Sequence, residues 1–162
     1  MIESFAPIAR ARRAQVTLDA GDGGDASPVS ARVDGEAFRR VLLNLLDNAV
    51  RYGPAGQTVR VALSRAGAWA RLAVEDEGGG VPPADRERVW RPFVRLPRDV
   101  AEASAGSGIG LTIVRELAEL HGGRARVESA AGGGARFVVE LPAAEPPAAP
   151  AARDVDPVEA AR

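Results

Sequence analysis

Cysteine is absent from the 162-residue chain, which excludes disulfides, thiolate metal sites and thiol nucleophiles. Lysine is absent too, and all 21 basic residues are arginine. A phosphate loop ending in Gly-Lys and any Schiff-base mechanism are thereby removed. Aromatic residues make up only 4% of the chain, and His121 is its one histidine. No run reaches the roughly 18 apolar residues of a membrane span, and no signal peptide opens the sequence, so a cytoplasmic location is expected. With 22 acidic residues against 21 basic ones, the net charge of -1 gives no footprint for nucleic acid or for direct membrane contact. What is present, 46% hydrophobic and 27% charged residues, suits one globular domain.

Residues 1–15 are expected to be a linker or the end of a preceding helix. Val16-Thr17-Leu18 has strand character, and a Gly/Asp-rich loop follows. Asp34 is a plausible N-cap with Glu36 in the first turn, where the helix dipole favours an acid. Phe38, Val41, Leu42, Leu45 and Ala49 then recur at helical spacing as far as Tyr52, and Gly53-Pro54 ends the run. Val59-Val61-Leu63 and Ala70-Leu72-Val74 alternate as a hairpin around Ala66-Gly67, with one covered face. A second helix is expected over Ile109 to His121, with Ile113, Val114, Leu117 and Leu120 on one stripe and Gly122-Gly123 as its stop. Strands over Arg124–Ser129 and Arg136–Leu141 complete the pattern. Residues 143–162, rich in Ala and Pro, read as a disordered tail. The expected architecture is α+β: a two-layer sandwich with helices on one face of a mostly antiparallel sheet.

Three segments carry chemistry. Asn44 and Asn48 stack one turn apart, with Arg51 and Tyr52 continuing their stripe along the border of the apolar face. Asn costs a helix roughly half a kcal/mol against Ala, so amide oxygens aimed at a hydrated cation and phosphates explain the pair as well as a polar edge does. Asp76 shares the parity of Leu72 and Val74 and therefore points to the covered face, where an ionised carboxylate needs a partner. A nucleobase amino group would supply one, and Gly78 to Gly80 would allow close approach; an ordinary Asp-Gly turn fits equally. Gly106, Gly108 and Gly110 lead into the second helix, where free N–H groups can hold an anion, although a flexible linker would look the same. Their Gly-x-Gly-x-Gly spacing is not that of a dinucleotide fold.

In combination these segments resemble the Bergerat-fold ATPases, and in detail the ATP-binding catalytic domain of bacterial sensor histidine kinases. Asn44 to Tyr52 is similar to the family's N box. Asp76-x-Gly78-x-Gly80 resembles its first glycine box, and Gly106-x-Gly108-Ile109-Gly110-Leu111 its second. Trp90-Arg91-Pro92-Phe93-Val94-Arg95 resembles its F box. Leu120-His121-Gly122-Gly123 and Gly134-x-x-Phe137 also follow the pattern.

The resemblance implies a mixed, mostly antiparallel sheet of about five strands under about three helices. The catalytic domain would span 16–142, with an ATP lid over about 94–105. It further implies Mg²⁺ at Asn48 with help from Asn44, and Arg51 near the phosphates. Tyr52 and Phe93 would lie at the nucleotide, and Asp76, Gly78 and Gly80 around adenine. Gly106, Gly108, Ile109, Gly110 and Leu111 would line the triphosphate, with Arg95 at the γ-phosphate. ATP and Mg²⁺ are the implied cofactors. Hydrolysing relatives carry Glu where Asn44 stands, and Asn cannot act as a general base, which points to transfer onto a protein acceptor. Arg91 and Ala135 depart from the residues common in the family and bear on lid contacts.

No phosphoacceptor histidine is evident, because His121 occupies a structural context at a helix end. The implied partners are a dimeric helical phosphoacceptor domain, from the same parent kinase or supplied in trans, and indirectly a response regulator; the isolated domain would be monomeric. An anti-sigma-factor-type serine kinase, or a nucleotide-binding regulatory module without transfer, are the alternatives.

Overall fold

A computed structural model describes residues 12–20, 29–96 and 107–144 of the chain. The expected lid from residue 97 onward, Gly106, and the tail beyond 144 lie outside the described residues. The strands are β1 (Gln15–Ala20), β2 (Thr58–Ala66), β3 (Trp69–Glu75), β4 (Arg124–Ser129) and β5 (Ala135–Pro142). They form one five-stranded sheet in the order β1-β2-β3-β5-β4. β1 runs parallel to β2, while the β2–β3, β3–β5 and β5–β4 pairs are antiparallel. The architecture is the expected open, mixed α+β sandwich.

Helices α1 (Gly35–Tyr52) and α2 (Gly110–Leu120) pack side by side. The N-cap of α1 is Asp34, whose Oδ1 accepts from the N–H groups of Glu36 and Ala37, both at 2.9 Å. Such a cap stabilises a helix by about 1 kcal/mol. The helix buries Val41, Leu42, Leu45, Leu46, Ala49 and Val50 against Val59, Val61, Leu72 and Val74 of the sheet. Leu45 and Leu46 are wholly buried, contributing roughly 2 kcal/mol each.

Leu120 does not belong to the buried stripe of α2, as it is 78% exposed. The buried line follows Val114 and Ala118 with Leu111 and Leu117 partly buried beside them. At 3.6 residues per turn, Ile113 and Leu120 fall on the flank of that line. Between β3 and α2 the chain makes two single-turn 3-10 helices, Pro83–Asp85 and Arg88–Trp90. Trp90 is buried there, with its ring edge-on to Phe137 at 6.0 Å between centroids.

The sheet's other face is more closed than a one-sided hairpin implies. Ala73 and Val138, a cross-strand pair on that face, are both buried. Around them Arg71, Arg124 and Arg126 pair with Glu140, which is only 1% exposed. Among the described residues, this ion-pair cluster is what flanks the buried pair on that face.

Candidate functional site

A cleft opens between α1, the end of β3 and the start of α2. From α1 come Asn44, Asp47, Asn48, Arg51 and Tyr52. Asp76, Gly79, Gly80 and Val81 follow from the end of β3 and the loop after it. Ser107, Gly108, Ile109, Gly110, Leu111 and Ile113 enter from α2 and its approach, with Val89, Val94, Arg95 and Leu96 on the remaining side. Phe137 and Ala135 of β5 complete the lining. Residues separated by more than sixty positions are brought together because β3 and β5 are neighbours beneath the paired helices.

Each expected residue other than Gly106 has a definite place. Asp76 is 6% exposed, and its Oδ1 accepts from the N–H of Gly78 at 2.8 Å and of Ala135 at 3.0 Å. Two backbone donors on one oxygen fix the orientation of the carboxyl group at the cleft wall. Gly134 is required beside it, because a side chain there would run into the Asp76 carbonyl.

Asn44 donates through Nδ2 to the carbonyl of Arg40 at 2.9 Å. Its Oδ1 faces the start of α2, 3.2 Å from where a Cβ on Gly110 would lie. The amide of Asn48 is half-buried in the cleft and makes no hydrogen bond among the described residues. Arg51 forms an ion pair with Asp47 one turn earlier, at 3.0 Å, and both line the cleft.

The N-terminus of α2 has no side-chain cap. Its first-turn N–H groups therefore lack the intrahelical and capping partners that helix starts require, and the residues that carry them border the cleft.

Two expected site residues stand apart from this lining. Phe93 is 73% exposed: its backbone is left-handed at φ 63, and only its N–H, bonded to the Gly108 carbonyl at 3.0 Å, ties it to the glycine segment. Gly78 is set back from the cleft and serves Asp76 through its N–H. Gly106 lies outside the described residues. Several lining residues had no assigned role in the sequence reading. Phe137 shares the parity of Val139 and Leu141, so strand alternation placed it on the covered face. Ile113 is signalled by the helical period, which sets it one position off the buried line of α2. Asp47 carried no signal beyond its spacing from Arg51.

The donor set fits a magnesium nucleotide. Amide oxygens, oriented N–H groups and an acceptor carboxylate at opposite ends match phosphate, hydrated cation and base. Among the described residues no cluster of three His, Cys, Asp or Glu side chains could hold a metal ion alone. A cation here would accordingly share phosphate oxygens, as Mg²⁺ does in nucleotide sites.

Similarity to known proteins gives the family. The model of the histidine kinase-, DNA gyrase B- and HSP90-like ATPases matches residues 33–145. The chain belongs to that family. Over 134 residues it is 40% identical to the sensor histidine kinase TmoS of Ectopseudomonas mendocina, covering 82% of this chain and 13% of that protein. It is 36% identical over 140 residues to the alginate biosynthesis sensor protein KinB of Pseudomonas aeruginosa, covering 86% of this chain and 22% of that one.

Among solved structures, the mycobacterial sensor histidine kinase MprB superposes with a TM-score of 0.71 at 30% identity, covering 87% of this chain and 90% of that one. Full-length ShkA in complex with AMPPNP also gives 0.71 at 30% identity, over 88% of this chain and 28% of that one. The chain spans well under half the length of TmoS and KinB. Among the described residues no helix is long and apolar enough to cross a membrane.

Proposed function

We propose that this chain binds Mg-ATP in the cleft and presents the γ-phosphoryl group to a histidine on a separate, dimeric helical phosphoacceptor domain in two-component signalling. The observation that carries this reading is the convergence of Asp76, Asn48 and the uncapped start of α2 on one cleft. Similarity to sensor histidine kinases, and the complex of ShkA with an ATP analogue, support it.

Asp76 accepts the adenine amino group while its own N–H bonds hold it in place. Asn48 presents its amide oxygen to the cation, and Asn44 would assist beside it, its amide oxygen facing the start of α2. Arg51, held by Asp47, and Arg95 across the cleft face the phosphates. Bound Mg²⁺ would neutralise phosphate charge as it develops in transfer. The chain's own contribution is positioning and electrostatics, since neither amide can deprotonate a water.

Incubation with a purified dimeric phosphoacceptor hairpin and labelled ATP tests the reading. Acid-labile label on the hairpin is expected with the unaltered chain, and at least tenfold less with Asn48→Asp. Nucleotide binding without transfer to any cognate hairpin would instead favour a regulatory module.

A further inference from the structure

We propose that Gln57 is a positioning residue that sets the span between the two ends of the cleft, an assignment that rests on the nucleotide reading above. Gln57 follows α1 by only a few residues and is 2% exposed. Its Nε2 donates to the carbonyl of Ala49 at 2.8 Å, and its Oε1 accepts from the N–H of Glu77 at 3.2 Å. Ala49 is the residue after Asn48, and Glu77 is the residue after Asp76. One planar amide thus ties the backbone beside the cation ligand to the backbone beside the base acceptor.

The fit is specific to Gln. The bridge needs a donor at one end and an acceptor at the other, which Leu, Met and an ionised Glu do not offer together. A shorter Asn lacks a methylene of reach. Gly53 leaves the space the amide fills, since a side chain there would collide with it. The Ala49 carbonyl also accepts from the Gly53 N–H at 3.0 Å, so Gln57 adds a second bond at the point where α1 ends. Burial matters as well: water cannot replace a bridge at a site this closed without opening it.

If Gln57 fixes the span, its loss should leave each end of the cleft intact and spoil their alignment. A ligand that touches both ends would suffer, and fragments that touch one end would not. The test uses the full chain and Gln57→Leu, with Gln57→Asn as the milder variant should Leu prevent folding. Affinities for adenosine, Mg-tripolyphosphate and Mg-ADP are measured by chemical-shift titration on variants whose circular dichroism matches the unaltered chain.

The expected result is at least a tenfold loss for Mg-ADP, with either fragment changed by less than twofold. Equal losses for all three ligands would mark a general structural role and overturn the proposal, as would full retention of Mg-ADP affinity. An unaltered chain that binds neither adenosine nor Mg-ADP would instead overturn the nucleotide reading itself, and this assignment with it.

Discussion

On the proposed reading Asp76 has two tasks that substitution can separate. Its Oδ1 receives the N–H groups of Gly78 and Ala135, which pin the β3 end to β5. An Asn at this position keeps an Oδ1 able to accept both, so the fold should lose no more than about 1 kcal/mol. The change puts an amino group where the second carboxylate oxygen was. Against an adenine amino group that sets donor against donor, at a cost of about 2–3 kcal/mol, or roughly 30- to 150-fold in Kd. Asp76→Ala removes the acceptor altogether and leaves two backbone donors unmatched near the core, which should cost the fold about 2–5 kcal/mol.

Thermal unfolding reads both tasks at once. Mg-ADP at a hundred times its Kd adds about 2.7 kcal/mol to the unaltered chain, or roughly 5–10 °C in Tm for a chain of this length. At the same concentration, an Asn variant weakened a hundredfold gains only about 0.4 kcal/mol, close to 1 °C. The expected pattern is a near-normal ligand-free Tm for Asn with its ligand shift nearly abolished, and a lowered ligand-free Tm for Ala. A full ligand shift in Asp76→Asn would refute the base-acceptor role. A ligand-free Tm as low as that of the Ala variant would refute the claim that one oxygen carries the structural load.

Two further perturbations address the scaffold. Burial alone would raise the Glu140 carboxyl, but hydrogen bonds from Arg124, Arg71 and Arg126 outweigh it and hold the group down at about 2. Because the folded value lies below the unfolded one, its stabilisation is complete above about pH 5 and is lost as pH falls from there towards 2, amounting to at most about 3 kcal/mol. Urea unfolding of Glu140→Gln should show that loss at pH 7 and a flatter stability profile between pH 5 and 2; an unchanged profile would exclude this carboxylate as its source. Gly132→Ala and Gly134→Ala form a matched pair, since a side chain at 132 meets nothing within 4 Å while one at 134 strikes Asp76. Urea midpoints should place the first within about 0.5 kcal/mol of the unaltered chain and the second at least 1–3 kcal/mol below it, with loss of the Mg-ADP shift; equal effects would contradict the packing described.

The sequence was most legible where period and function coincide. Asp76 was placed on the covered face by strand parity alone, and Asn44 and Asn48 on a shared stripe by helical spacing. Both inferences are local, since each needs only a period and a few neighbours. The bridge at Gln57 was not legible, because its partners Ala49 and Glu77 are backbone groups that leave no mark in side-chain patterns. Phe93 shows a different limit: the motif located its segment, but a left-handed residue turned its ring outward, and bulky residues give no warning of such a conformation. The buried Ala73–Val138 pair escaped for a third reason. Alternation marks which face a residue occupies but not that an arginine cluster will gather on Glu140 beside it.

His121 bears directly on what the cleft can accomplish. It ends α2, and eleven residues at 1.5 Å each put it roughly 16 Å from the helix start that borders the cleft. Its Nδ1 lies 2.7 Å from the Leu117 carbonyl, and its Nε2 accepts from the N–H of Asp34 at 3.3 Å. Together the two contacts call for the Nδ1–H tautomer, since only that form donates to the carbonyl and accepts from the amide. One nitrogen is thus engaged within α2 while the other joins its end to the start of α1, and neither is directed at a phosphate. On the proposed reading, a chain whose one histidine ties two helices together would have the donor half of a transfer reaction. The proposed transfer therefore calls for an acceptor nitrogen from a separate domain.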